Sequence, residues 1–197
     1  MKNLKPCIVL YVMLTILTGA VYPTAVTVIS QLLFTDKANG SLVRTERDIR
    51  GSLLIGQKFN SPAYFLPRPS ASDYSALPSS ASNQGPTSAS LKRAVDERQR
   101  RLAPYITGEI PADLLLASGS GLDPHISPAA ALAQIDHVAK ARHLSESQKF
   151  RLDKLVRQHI EAPQWGIFGA PRVNVLKLNM ETDRMFGKYG ISGEKRH

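Results

Sequence analysis

Residues 8–34 run for 27 positions without Asp, Glu, Lys, Arg or His, and no other stretch of the chain is comparable. A helix rises about 1.5 Å per residue, so this run reaches roughly 40 Å, more than the roughly 30 Å of bilayer hydrocarbon. The sequence therefore predicts a transmembrane helix over residues 8–34, with room for tilt. The competing reading is a cleaved secretory signal behind the short basic leader Lys2 and Lys5. A signal's apolar region is about 7–15 residues long and ends at a small-x-small site. Here Gly19-Ala20-Val21-Tyr22-Pro23 is bulky where small residues are needed, so the run is read as an uncleaved anchor. Cys7 precedes the apolar run and follows Lys5-Pro6, which does not suit a lipobox. It is read as a cysteine at the edge of the helix.

Flanking charge sets the expected orientation, because positive residues near a span tend to stay in the cytoplasm. Lys2 and Lys5 have no acidic neighbours, so residues 1–7 are expected inside. Lys37, Arg44, Arg47 and Arg50 follow the span and weaken the bias. They are mixed with Asp36, Glu46 and Asp48, and they open a long domain of the kind that translocates largely regardless of charge. Residues 36–197 are accordingly expected on the periplasmic side of a bacterial inner membrane.

That outer part is about 160 residues, enough for one domain with a real core. It contains no cysteine, so packing must hold it together without disulfides. Setting aside Lys2 and Lys5 leaves 23 Lys and Arg against 16 Asp and Glu, a net charge near +7. The charges are scattered, with Arg98, Arg100 and Arg101 the densest cluster and no basic stripe interleaved with aromatics. Solvated helix faces explain this pattern better than a nucleic-acid partner does.

Within the apolar run, Thr15, Gly19, Pro23 and Thr27 recur every fourth position and so share one face. Small residues at that spacing let a second membrane helix approach closely. Pro23 removes a backbone hydrogen bond and predicts a kink. The sequence thus points to a subunit packed against other membrane helices, with a lone anchor as the alternative.

Beyond the span, breakers organise the chain. Residues 36–50 read as a polar connector, and residues 53–57 as a short buried strand. Residues 60–87 hold five prolines and many serines, yet Tyr64, Phe65, Leu66, Tyr74 and Leu77 are interleaved with them, which predicts an ordered irregular loop packed on the domain. A helix is expected from Thr87 or Ser88, with Leu91, Val95, Arg98 and Leu102 on one side and Pro104 ending it. A short helix is expected from Pro111 through Leu114, Leu115 and Leu116. Ser127 and Pro128 open another, with Ala131, Leu132, Ile135, Val138 and Ala139 inward. Ser145 and Gln148 form a capping-box pattern ahead of Phe150, Leu152, Leu155, Val156 and Ile160. Residues 173–179 read as a strand. The expected fold is α+β: a single N-terminal transmembrane helix, then one soluble exterior domain with a small sheet and several helices.

The chain's near-matches to catalytic patterns fail. The dipeptide Gly187-Lys188 has Thr182 where a phosphate-binding loop needs its first glycine. Asp36-Lys37 continues Ala38-Asn39-Gly40, unlike the phosphorylated Asp-Lys-Thr-Gly-Thr of ion-pumping ATPases. Ser120, with Asp123 and His125 nearby, invites a hydrolase reading. A nucleophile elbow, however, needs glycine where Ser118 stands, and a triad is assembled from distant segments. His125, His137, His143 and His159 show no i, i+4 pair and no cysteine assists, so no metal site is expected; His197 stands at the chain end. Glycines, Asp123-Pro124 and Ser127-Pro128 instead describe a structured turn.

Four segments carry a specific resemblance. These are Gly56-Gln57-Lys58-Phe59 with Tyr64-Phe65-Leu66-Pro67-Arg68-Pro69-Ser70; Ser82-Asn83-Gln84-Gly85-Pro86-Thr87; the run SGSGLDPHISPAA from Ser118 to Ala130; and Gly169-Ala170-Pro171-Arg172-Val173-Asn174-Val175-Leu176-Lys177-Leu178-Asn179. With the N-terminal span they resemble, in order, the KdpC family, the C subunit of the bacterial high-affinity potassium pump KdpFABC. The resemblance implies a non-catalytic accessory subunit in the inner membrane, with KdpA, KdpB and KdpF as partners. It also implies an assembly role and a catalytic-chaperone role in ATP use by KdpB. ATP and potassium would be handled by the complex, with no cofactor held by this chain.

An exterior domain meets no ATP, so direct nucleotide binding is the runner-up and needs the opposite topology. Ser80-Ala81 and Ser88 depart from the family's nucleotide-like loop, and residues 77–87 are assigned to folding or partner contact. An independent anchored periplasmic enzyme is the other alternative. The expected partner contacts are Thr15, Gly19, Pro23 and Thr27 in the span, and Arg68, Ser120, Asp123 and His125 in the domain, poised over a potassium entrance.

Overall fold

Apolar residues on every side make the first helix continuous. In the computed structural model, which describes residues 4–44 and 49–189, α1 (Leu4–Ile16) and α2 (Tyr22–Leu33) join through a π-helical turn, Leu17–Val21. Together they form one helix, Leu4–Leu33, long and apolar enough to cross a membrane. The expected disturbance at Pro23 takes the form of this turn. Pro23 has no N–H and its ring crowds the carbonyl four residues back, and the wider turn, in which Tyr22 N–H reaches Leu17 O, lies just before it. The hydroxyls of Thr15, Thr18 and Thr27 donate to the carbonyls of Tyr11, Leu14 and Pro23 at 2.7–2.8 Å, so none needs water.

The first compact unit ends at Ser52. After α3 (Thr35–Ala38), Gly40 takes φ +82° and the chain enters an antiparallel pair, β1 (Leu42–Arg44) with β2 (Ile49–Ser52), in the register Leu42–Ser52, Val43–Gly51. Ser52 Oγ donates to Gly40 O at 2.6 Å. The expected connector is therefore partly a hairpin. Lys2, Glu46, Arg47, Asp48 and His197 lie outside the described residues, as does the Arg50 side chain.

The second unit begins at Leu53. The buried strand expected at residues 53–57 is not formed. Residues 53–55 turn, with Leu54 and Ile55 exposed, because Gly56 is held tightly against another loop. Its N–H donates to Leu122 O at 2.7 Å, and a Cβ there would stand 2.7 Å from Asp123 O. Strand pairing at that position is replaced by this close backbone contact.

Helices follow where caps were legible. Ser88 caps α4 (Ala89–Leu102), accepting from Leu91 N–H. Pro111 precedes α5 (Ala112–Leu115). Ser127 caps α6 (Pro128–Ala133), which breaks at Gln134 before α7 (Ile135–Ala141). Ser145 and Gln148 exchange both capping-box bonds ahead of α8 (Glu146–Gln158). Of the apolar residues that follow this capping box, Phe150 points to solvent, while Leu152, Leu155 and Val156 are buried.

The strand expected over 173–179 is reduced to β4 (Val173–Asn174), which pairs antiparallel with β3 (His125–Ile126). Asn174 Oδ1 then accepts from Lys177 N–H and opens α9 (Val175–Phe186), so the apolar run is read out at helical spacing, with Val175, Leu176 and Leu178 buried. The core gathers Phe65, Ile126, Val138, Leu152, Val156, Val173 and Leu178 from the proline-rich segment, the β3–β4 pair, α7, α8, β4 and α9. This is the expected mixed α+β architecture.

Candidate partner-contact site

The proline-rich segment cannot join a sheet, so side chains satisfy its backbone. Asn179 on α9 accepts Phe65 N–H at 2.8 Å and donates to Phe65 O at 3.0 Å. Gln134, at the α6–α7 break, accepts Leu66 N–H at 2.7 Å and donates to Leu66 O at 3.3 Å. Both carboxamides are buried. Just before this pair, Arg142 Nε donates to Ala63 O at 2.7 Å and its guanidinium lies 5.0 Å from the Tyr64 ring centre. Arg142 Nη2 and the Tyr64 hydroxyl both reach Asp183, at 2.6 and 3.0 Å. Burial, followed by the Asp183 carboxylate, raises the Tyr64 hydroxyl's pKa.

This anchoring delivers Arg68 to the glycine-rich turn. Arg68 Nη1 donates to Asp123 Oδ2 at 3.0 Å, while Asp123 Oδ1 accepts His125 N–H at 3.0 Å and lies 3.5 Å from His125 Nδ1. Burial alone would raise the Asp123 carboxyl, but the hydrogen bonds from His125 and then from Arg68 outweigh it and hold the pKa at about 2. Arg68 Nε is buried without a partner among the described residues. The Tyr74 hydroxyl donates to Arg68 O at 2.8 Å, and burial pushes its pKa up to about 12.

Gly121, at φ +71°, lets the turn pass under Ser72 and Ser80. A Cβ would stand 2.8 Å from Ser72 Oγ and from Ser80 O. Ser120 sits on the exposed rim of that turn, its Oγ accepting Leu122 N–H.

Arg68, Asp123 and His125, named from sequence as separate candidates, thus form one node, with Ser120 beside it. Thr15, Gly19, Pro23 and Thr27 are exposed along the apolar helix in the other unit, where a Cβ on Gly19 would meet nothing within 4 Å. Both oxygens of the Asp123 carboxylate are engaged, Oδ2 by Arg68 and Oδ1 by His125. The other histidines among the described residues serve elsewhere. His137 lies 4.3 Å from the Tyr105 ring, His159 Nδ1 lies 2.9 Å from Leu155 O, and His143 occupies an exposed turn at φ +53°. Of the 77–87 loop, Leu77 is exposed and only Ala81 is half-buried, so the packing expected of the whole proline-rich stretch holds for its first part. An open groove of about 530 Å3 runs between the proline-rich segment and α4, with Lys58, Arg98, Arg101 and Tyr105 among its lining.

Sequence reasoning missed Gln134, Arg142 and Asp183, and placed Asn179 in a strand. A polar amide in an otherwise apolar helical face was the available signal. It also passed over the uncharged, tryptophan-bearing stretch 164–168.

Comparison with known proteins places these residues in a family. The model described as "KdpC: K+-transporting ATPase, c chain" matches residues 4–184. The chain is 46% identical over 183 residues to a potassium-transporting ATPase KdpC subunit of Cereibacter sphaeroides, covering 93% of this chain and 97% of that one. Against the KdpC subunit of Dechloromonas aromatica it is 50% identical over 186 residues, covering 91% and 96%. Against that of Geobacter sulfurreducens it is 47% identical over 190 residues, covering 94% and 99%. The chain belongs to the KdpC family.

Proposed function

We propose that the chain is a non-catalytic accessory subunit of an ATP-driven potassium-uptake pump, held in the inner membrane by Leu4–Leu33 with residues 36–197 outside. It assembles and stabilises the complex and acts as catalytic chaperone for ATP use by the KdpB subunit, with KdpA and KdpF as its other neighbours. The observation that carries this reading is where the family-like segments go. Gly56 lies on Leu122, Phe65 on Asn179, Arg68 on Asp123, and Val175 N–H on Pro124 O at 3.0 Å. These contacts tie the segments together within the second unit and leave Asp123 engaged on both carboxylate oxygens, which suits a scaffold better than a reaction centre. The other unit of the chain carries an apolar helix on which Thr15, Gly19, Pro23 and Thr27 recur every fourth position.

The test is potassium uptake at limiting external potassium in cells whose own copy has been removed. The wild-type chain restores uptake, and a chain without residues 36–197 does not. Restoration by the truncated chain would contradict the scaffold role. Direct nucleotide contact is a second reading, favoured by the basic lining of the groove beside α4. Photo-crosslinking of an azido-ATP to the assembled complex separates the two: labelling on KdpB alone supports the scaffold, and labelling at Arg98 or Arg101 supports the second reading.

A further inference from the structure

Residues 162–171 contain no charged side chain, and they project the three most exposed large apolar groups of their neighbourhood: Trp165 at 89%, Ile167 at 78% and Phe168 at 60%. The projection is built, not frayed. Gln164 and Phe168 exchange both backbone hydrogen bonds, at 2.9 and 3.0 Å, and Gly166 N–H reaches Pro163 O at 3.0 Å. Glu161 and Arg172 close the base with two further backbone bonds and a 3.2 Å ion pair. Trp165 itself adopts φ +53°, which is uncommon for a bulky residue, and Gly166 follows at +75°. The Trp165 and Phe168 rings meet edge to face at 5.9 Å. A rigid hairpin therefore holds an aromatic pair in water.

We propose that this hairpin tip is the anchor by which the domain docks into an apolar pocket of a neighbouring protein subunit of the pump, a proposal that rests on the accessory-subunit reading above. Trp and Phe each bring a large area to bury, Trp is enriched at binding hot spots, and a preorganised loop loses little freedom on docking. Charge selects the occupant. A segment that dips into a lipid surface uses Lys or Arg to hold anionic headgroups. Here Arg172, the basic residue at the base, is already paired with Glu161 and the tip is neutral, which matches the desolvated centre of a protein interface.

Trp165 is the single tryptophan of the chain, so 5-fluorotryptophan gives the full-length protein one fluorine resonance. The labelled chain is measured in nanodiscs, alone and assembled with the unlabelled remaining subunits, against a water-soluble gadolinium chelate and a doxyl lipid. The expected result is broadening by the chelate alone in the free chain, then a shifted resonance protected from both probes in the complex. Trp165→Ala with Phe168→Ala is expected to weaken assembly at least about tenfold, with the melting temperature of the free chain unchanged. A resonance still open to the chelate in a co-purifying complex overturns this inference and leaves the subunit reading standing. Broadening by the doxyl lipid in the free chain assigns the tip to the membrane, and protection with a dimer-sized particle assigns it to a second copy; either overturns it. A wild-type chain that does not co-purify with the other subunits overturns both.

Discussion

Asn179 and Gln134 act as stand-ins for a missing strand, each presenting an acceptor and a donor to one residue of a segment whose prolines forbid a ladder. Removing such a group leaves two buried backbone groups unpaired. Asn179→Ala is therefore expected to cost about 2–4 kcal/mol, read as a lower urea midpoint of the intact chain in detergent. Arg142 is almost wholly buried against Asp183, and Arg142→Ala leaves that carboxylate without its cation and held by the Tyr64 hydroxyl, a loss of about 3–5 kcal/mol by the same measurement.

Asp123 adds a pH dependence whose sign follows from its depressed value. The folded carboxyl sits at about 2 and the unfolded one near its ordinary ~4, so the folded state binds fewer protons between them. The stabilisation is fully present above about pH 4 and is lost as pH falls toward 2, by on the order of 1–2 kcal/mol after screening by water. Asp123→Asn is expected to flatten this part of the melting-temperature profile. An unchanged slope would show that the carboxylate is not engaged as described. Both partners of this pair were visible in the sequence as candidates. Their contact was not, because it joins positions 55 residues apart through a fold that only the buried amides fix.

Among elements, those with chemical punctuation were the legible ones. Ser88, Ser127 with Pro128, and Ser145 with Gln148 each start a helix where a side-chain oxygen meets an orphan backbone N–H. Short apolar runs without such marks were not legible. Residues 53–57 and 173–179 fit a strand by composition, but periodicity cannot separate a short strand from a buried helix turn. Close packing of Gly56 and capping by Asn174 decided both.

The membrane helix permits an unusually clean substitution. A Cβ on Gly19 meets nothing within 4 Å among the described residues, so Gly19→Leu should leave its own fold intact and obstruct a partner helix. Co-purification of the pump subunits in mild detergent is expected to fall several-fold. Undiminished recovery would exclude this face as the contact.

At the level of the whole molecule, the chain divides into two compact units, residues 1–52 with the apolar helix and its hairpin, and residues 53–197, which are cysteine-free and net basic. The division of labour proposed for them depends on which side of the membrane the domain occupies. Protease added outside intact spheroplasts, followed by assays of potassium uptake and of the pump's ATP affinity, tests this directly. The predicted result is loss of residues 36–197 together with loss of uptake and weakened ATP affinity. A domain that resists outside protease, yet is cut once the membrane is opened, would put it in the cytoplasm and contradict the exterior-scaffold reading.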